Sequence, residues 1–215
     1  MNMKRRFLHA VVRQFHRPTG AAGHVVGWVM ARRTSNVHRS RWAVGLLEVG
    51  PSERVIELGC GPGVAVAALA DRARGGMVVG VDHSAVMIRQ ARRRNAEAVR
   101  TGRVQLVQRP VEELGRAEGG FGVPFDAALA VNTVGFWPDP PARLRDIGAM
   151  LRPGGRIALV AQPRCPGATA ETSVAAGDEL VALLVGAGFG NIRRETLDLD
   201  PPAVCVLAER LRHAT

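Results

Sequence analysis

Residues 54–63 read RVIELGCGPG, an apolar strand-like run that leads directly into an acid and three alternating glycines. Glycines in this arrangement allow a tight turn and let a ligand approach the backbone closely. The apolar-periodic residues 64–70 predict a helix, whose first N–H groups would face the space over the turn. This stretch therefore predicts a nucleotide-type binding turn between a strand and a helix.

The spacing of the glycines restricts the ligand. A dinucleotide fingerprint requires its third glycine one residue after Gly63, where this chain has Val64. A phosphate-binding P-loop ends in Gly-Lys-Ser/Thr, but the single lysine of this chain is Lys4. The pattern that remains is E-x-G-x-G-x-G, which begins at Glu57.

Strand-like and helical patterns alternate from Glu53 onward. Helical patterns cover residues 64–74, 85–100, 141–151 and 173–187, and residues 152–155 (RPGG) predict a turn. Strand-like runs cover residues 55–58, 77–81, 104–107, 125–131, 156–161 and 203–208. Continuous apolar strands that alternate with helices are typical of a parallel sheet covered on both faces, which binds ligands at the carboxyl edge of its strands.

An acid follows the second predicted strand. Asp82 lies 19 residues after Gly63, a distance that suits hydrogen bonds to both hydroxyls of a ribose. Ser84 is placed to cap the next helix. The turn and this acid together indicate a nucleoside ligand.

The E-x-G-x-G-x-G pattern resembles motif I of the class I S-adenosylmethionine (SAM)-dependent methyltransferases. Residues 82–87 with Ala91 and Asn95, residues 125–132, and the late turn at residues 151–155 resemble further motifs of the family. Residues 17–23 (RPTGAAG) with Met30 and Asn36 resemble a bacterial, quinone-methyltransferase-like subgroup whose substrate is not defined. The resemblance implies an α/β, Rossmann-like, doubly wound and mostly parallel seven-stranded sheet with helices on both faces.

The same resemblance implies SAM as cofactor and assigns roles to particular residues. Glu57 would attract the ammonium of the methionine part, and Asp82 would bind the ribose. His83, Met87 and the backbone N–H of Val111 would lie against the adenine. The complete set of cofactor-binding residues is Glu57, Gly59, Gly61, Gly63, Asp82, His83, Met87, Val111 and Asn132.

One departure from the family pattern lies after the third strand. The family usually carries Gly-Asp there, and its Asp reaches the adenine amino group. This chain has Arg109 and Pro110 at that place, with Glu112 as an alternative acid nearby. We therefore expect a changed adenine contact and retained SAM binding.

The acceptor pocket is expected over the end of the fourth strand. Phe136 and Trp137 occur there in a chain with only six Phe, three Trp and no Tyr, which favours a small apolar or aromatic acceptor. The alternative is that both rings pack beneath the N-terminal helices. Arg17 and His24 are further candidates for substrate binding. In-line methyl displacement mainly requires alignment of the acceptor and exclusion of water. No catalytic residue and no metal site are assigned.

The net charge of +10 comes from the N-terminus. Residues 1–47 contain nine basic residues and no acid, whereas the remaining residues contain 20 basic and 19 acidic ones. We expect a basic N-terminal helical extension (residues 1–47), a lid or a peripheral membrane contact, attached to a SAM-binding domain (residues 48–215).

Two alternative functions remain open. One is a methyltransferase directed at phospholipids or other membrane lipids, because residues 5–15 (RRFLHAVVRQF) combine several apolar side chains with three arginines. The other is a non-catalytic nucleic-acid-binding protein on the same fold. A nucleic-acid partner is not expected, because few aromatic residues accompany the arginines.

Three scattered cysteines without metal-ligand spacing favour a reducing compartment. The apolar runs near the N-terminus are too short for a convincing signal peptide or a bilayer span. We therefore expect a cytoplasmic protein with a small-molecule acceptor.

Overall fold

The structure, a computed structural model, describes residues 34–114 and 121–211. Strands and helices alternate through these ranges. The strands described are Arg54–Leu58 (β1), Met77–Asp82 (β2), Val104–Gln108 (β3), Phe125–Val131 (β4), Leu151–Ala161 (β5), Phe189–Leu197 (β6) and Ala203–Arg210 (β7). The α-helices described are Thr34–Leu46 (α1), Val64–Arg72 (α2), Ala85–Arg94 (α3), Ala96–Arg100 (α4), Pro140–Met150 (α5) and Ala170–Gly186 (α6).

The strands form one seven-stranded sheet in the order β3-β2-β1-β4-β5-β7-β6. β3, β2, β1, β4 and β5 run parallel, and β7 is antiparallel to both β5 and β6. The mostly parallel, doubly wound sheet is therefore confirmed. The strand order reverses between β1 and β4, the position at which open α/β sheets bind ligands.

Apolar side chains cover the sheet on both faces. Val55 belongs to the core cluster beneath α1–α4, whereas its neighbour Ile56 belongs to the cluster beneath α5 and α6. Both side chains are fully buried, because successive residues of a strand point to opposite faces. This two-sided burial explains why the central strands read as continuous apolar runs.

Strand β6 had no sequence signal. Phe189–Leu197 lies at the edge of the sheet, pairs only with β7, and exposes Arg193 and Arg194. An edge strand with a solvated face carries polar side chains that weaken the apolar pattern. The sequence patterns therefore located six of the seven strands that the family resemblance implies, and the structure places the seventh at Phe189–Leu197.

Two predicted element boundaries were wrong for local chemical reasons. The helix predicted over residues 85–100 is interrupted at Asn95, whose Nδ2 donates to the carbonyls of Ala91 (2.9 Å) and Gly63 (3.2 Å). Helix α6 begins at Ala170 instead of Ser173, because Thr169 forms a capping box with Thr172.

The turn predicted at residues 152–155 lies inside strand β5. Gly154 has a φ of 75°, and the pairing of β4 with β5 shifts register between Phe125 and Ala127. The sequence correctly indicated irregular backbone here. However, the chain continues along the sheet after this irregularity instead of leaving it.

The predicted N-terminal extension is described only from Thr34. Helix α1 packs against α2 and the sheet and buries Ala43 and Val44. Residues 1–33, including the segment 17–23, lie outside the described residues. Helix α1, which belongs to the predicted extension, is thus part of the domain core.

Gly63 and Gly61 form a matched pair for a stability test. Both have positive φ, but a Cβ on Gly63 would lie 2.9 Å from the Ala91 Cα and 2.6 Å from Asn95 Nδ2, whereas none of the described atoms lies within 4 Å of a Cβ on Gly61. We expect the free energy of unfolding of Gly63→Ala to be about 1–3 kcal/mol lower than that of Gly61→Ala. Both variants carry the same kind of backbone strain, but only Gly63→Ala is overpacked. Urea unfolding measures the difference, and equal midpoints with equal slopes would contradict the packing described here.

Candidate active site

The glycine turn is built from left-handed backbone. Gly59, Gly61 and Gly63 have φ values of 73°, 51° and 74°, which glycine adopts without strain. This conformation bends the chain back, so that the N–H groups of Gly59 and Cys60 both donate to the carbonyl of Val81, at 2.8 and 2.9 Å. The turn after β1 is therefore fixed to the end of β2.

The three glycines serve different purposes. A Cβ on Gly59 would collide with Thr133, and one on Gly63 would collide with helix α3. A Cβ on Gly61 would point into space that none of the described atoms occupies within 4 Å. The outer glycines thus allow close packing, and the central one leaves room above the turn.

Asp82 connects the turn to the next helix. Its Oδ2 accepts a hydrogen bond from the Gly61 N–H at 2.9 Å, and its Oδ1 accepts one from the Ser84 N–H at 2.8 Å. Burial raises the pKa of Asp82, although these two backbone hydrogen bonds and His83 oppose the shift. The carboxylate is thus held in place, with further acceptor capacity on each oxygen.

Glu57 is a second buried carboxylate at the same place. It is 3% exposed, and its Oε2 has no hydrogen-bond partner among the described residues. Burial raises the pKa of Glu57 well above its usual range, the charge of Asp82 raises it further, and a hydrogen bond from the Val66 backbone opposes the shift. A buried acid with an unsatisfied oxygen requires a donor or a cation.

The charges of Glu57 and Asp82 also affect the thiol of Cys60. Burial raises the pKa of its thiol, and the charges of Glu57 and Asp82 raise it further. The thiol is thus protonated and buried at 4% exposure, which favours a packing role over a reactive one. Glu57 and Asp82 thus place two buried acidic groups beside the turn, and this arrangement suits a cationic ligand.

The remaining predicted cofactor residues lie at the carboxyl edge beside Asp82. His83 is exposed, and its Nδ1 lies 3.9 Å from Asp82 Oδ1. Met87 is buried in the first turn of α3, whereas Val111 is partly exposed in a short 3-10 helix after β3. The N–H of Arg109 donates to the Asp82 carbonyl at 3.0 Å. Arg109, which departs from the family pattern, therefore lies next to Asp82.

Asn132 and Thr133 follow β4, on the other side of the turn. Asn132 has a φ of 56°, and its Oδ1 accepts from the Gln162 N–H at 2.7 Å. Thr133 Oγ1 donates to the Leu58 carbonyl at 3.0 Å. Thr133 also packs on Gly59, a contribution that no sequence pattern indicated.

The two aromatic residues after β4 have different environments. Phe136 is 53% exposed, whereas Trp137 is 8% exposed and lies in the core cluster beneath α5 and α6. Trp137 thus packs in the core, whereas the substrate role of Phe136 stays a prediction. Arg17 and His24 lie outside the described residues, so their substrate roles stay predictions.

Comparison with known proteins identifies the family. A family profile described as a methyltransferase domain matches residues 55–155, from β1 into β5. Residues 55–155 form a methyltransferase domain of the class I SAM-dependent type. The methyl donor of this family is SAM.

Several methyltransferases resemble this chain over different lengths. It is 27% identical to the uncharacterized methyltransferase YdaC of Bacillus subtilis over 190 residues, which cover 86% of this chain and 98% of YdaC. It is 31% identical to a ubiquinone biosynthesis O-methyltransferase of Xanthomonas campestris over 138 residues, 64% of this chain but only 54% of that enzyme.

A solved structure shares the fold. Magnesium protoporphyrin IX methyltransferase from Synechocystis, with bound S-adenosylhomocysteine, superposes with a TM-score of 0.69 at 18% identity, covering 94% of this chain and 98% of that one. Among the described residues of this methyltransferase, no helix is both long and apolar enough to span a membrane. In the same residues no cluster of His, Cys, Asp or Glu is suited to a metal ion.

The electrostatics of Glu57 give a pH-dependent prediction. Because the folded-state pKa of Glu57 is raised, this group destabilises the folded protein at pH values above the usual carboxyl range, and the destabilisation decreases as the pH is lowered toward that range. We expect the ligand-free protein to gain stability relative to Glu57→Gln as the pH is lowered from neutral. Thermal unfolding of both proteins across this range measures the effect, and a pH-independent difference would contradict the raised pKa.

Proposed function

We propose that this methyltransferase transfers a methyl group from SAM to a small apolar or aromatic acceptor by in-line displacement. One observation carries the proposal: the open space at Gly61 adjoins the buried carboxylate of Asp82, whose charge also acts on the buried Glu57. The room suits a nucleoside, and the two acids suit a ligand with an ammonium group and vicinal hydroxyls. The chain thus fits SAM on grounds independent of its relatives.

Glu57 is the proposed partner of the ammonium. Its unsatisfied Oε2 would accept a charge-assisted hydrogen bond, and a nearby positive charge would reverse the rise of its pKa. Asp82 is the proposed partner of the ribose hydroxyls, because its oxygens are already aligned by Gly61 and Ser84. His83, Met87, Val111 and Asn132 complete the proposed cofactor contacts.

Bound SAM supplies a methyl group already activated on a sulfonium, so the chain has to align the acceptor and exclude water. We place the acceptor beside Asn132 and Phe136, after β4. The half-exposed Phe136 ring offers apolar surface to an acceptor. The name of the Xanthomonas relative, which refers to ubiquinone biosynthesis, supports an acceptor of this class.

Gly61→Ala tests the proposed cofactor site. The added Cβ would enter the space assigned to SAM, so we expect its dissociation constant to rise roughly 10-fold or more. Gly102→Ala is the matched control, because Gly102 also has positive φ and open surroundings among the described residues but lies after α4. Calorimetric titration with SAM measures both variants, and methyl transfer to a cell extract from labelled SAM measures activity.

Two results would contradict the proposal. One is a wild-type protein that does not bind SAM. The other is an equal loss of affinity in Gly61→Ala and Gly102→Ala, because backbone strain alone would then explain the effect.

A further inference from the structure

Thr133 lies between the two loops at the point where the strand order of the sheet reverses. β1 and β4 are neighbours there, and the last pair of their ladder is Leu58 with Ala130. The glycine turn follows β1. Residues 132–137, which we call the acceptor loop because the acceptor is placed beside them, follow β4. Since open α/β sheets bind ligands at this point, the turn and the acceptor loop form the two sides of the expected crevice.

The two sides of the crevice are attached to different strands. The N–H groups of Gly59 and Cys60 donate to the carbonyl of Val81, near the end of β2. The N–H of Asn132 donates to the carbonyl of Val160, near the end of β5, at 2.8 Å. These hydrogen bonds hold each side in place, but they do not connect the turn with the acceptor loop.

The side chain of Thr133 makes that connection. Its Oγ1 donates to the carbonyl of Leu58, the last residue of β1, at 3.0 Å. Its methyl group rests against the turn, because a Cβ on Gly59 would lie only 2.3 Å from Thr133 Cγ2. One side chain on the acceptor loop thus contacts β1 through its hydroxyl and the turn through its methyl group.

The backbone of Thr133 carries this position over to Phe136. The Thr133 carbonyl accepts a hydrogen bond from the Phe136 N–H at 2.9 Å, which closes the short 3-10 helix Val134–Phe136. Val134 is buried in the core cluster beneath α5 and α6. A displacement of Thr133 would therefore move Phe136 relative to Gly59.

Methyl transfer makes strict demands on this spacing. The reacting atoms have to approach to about 3–3.5 Å, and a misplacement of about 1 Å can lower the rate about 100-fold. We infer that Thr133 is a positioning residue, whose hydroxyl fixes the spacing between the turn that holds the methyl donor and the acceptor loop. This inference rests on the proposed function, which places the acceptor beside Asn132 and Phe136.

Two variants separate the hydroxyl of Thr133 from its methyl group. Thr133→Val has nearly the same shape and loses the hydrogen bond to Leu58, whereas Thr133→Ser retains the hydroxyl and loses the methyl group. Each full chain is incubated with saturating labelled SAM and increasing amounts of a small-molecule cell extract. We expect the maximal rate of Thr133→Val to fall roughly 10-fold to 100-fold, and that of Thr133→Ser to stay near the wild-type rate.

Binding of S-adenosylhomocysteine separates positioning from damage to the donor site. We expect its dissociation constant to be the same in Thr133→Val and wild type, because Gly59 and Cys60 still attach the turn to β2. Thr101→Val is the matched control. Thr101 Oγ1 also donates to a backbone carbonyl, that of Glu97 at 3.1 Å, but Thr101 precedes β3 at the opposite edge of the sheet. This control should transfer methyl groups at the wild-type rate.

Three results would overturn the inference and leave the proposed function intact. A purely structural hydroxyl predicts a lower unfolding midpoint of Thr133→Val together with an unchanged maximal rate. Equal losses of rate in Thr133→Val and Thr133→Ser would show that the hydrogen bond is not responsible. A dissociation constant that rises as much as the rate falls would place the effect in the donor site alone.

The wild type distinguishes these failures from failure of the proposed function. A wild-type protein that binds S-adenosylhomocysteine but transfers no methyl group to the extract would overturn the proposed function, and the inference with it.

Discussion

The hydrogen bonds of the Asp82 carboxylate are the constraint on which the rest of the site depends. β1 and β2 pair in parallel with Leu58 opposite Val81, so both strands end at the same level. Asp82 then reaches the N–H groups of Gly61 and Ser84, and the Val81 carbonyl takes those of Gly59 and Cys60. Three backbone donors of the turn, those of Gly59, Cys60 and Gly61, thus attach it to the end of β2.

This arrangement explains why an energetically unfavourable group is kept. The position of Asp82 places a second negative charge near Glu57, which burial already destabilises. Buried acids with raised pKa values are characteristic of functional sites, because the cost in the free protein is recovered when a ligand of opposite charge binds. Under the proposed contact with the ammonium of SAM, the stability of the free protein and its affinity for this ligand are therefore opposed at Glu57.

The sequence predicted the parts of the molecule that rest on local patterns. The glycine turn, the acid after β2 and the central strands were all predictable, because each depends on a short spacing or a continuous apolar run. The edge strand Phe189–Leu197 and the helix interruption at Asn95 were not. The edge strand carries polar side chains, which weaken its apolar pattern. The helix interruption depends on a contact between Asn95 and Gly63, which are 32 residues apart.

Contacts across greater distances in the chain decided the rest of the site. Leu58 and Thr133, which form a hydrogen bond, are 75 residues apart, and no sequence pattern indicated Thr133. Phe136 and Trp137 are adjacent in sequence, yet packing buries one ring and exposes the other. Family patterns thus indicated the residues around the glycine turn, whereas the environments of the residues after β4 required the folded chain.

The central claim is that the buried charge of Glu57 recognises the ammonium of the methyl donor. Titration of S-adenosylhomocysteine and of 5′-methylthioadenosine, which lacks the amino-acid part, into wild type and Glu57→Gln tests it most directly. Our account predicts that the substitution weakens binding of S-adenosylhomocysteine roughly 10-fold or more and leaves binding of 5′-methylthioadenosine unchanged. An equal effect on both ligands, or none on either, would contradict it.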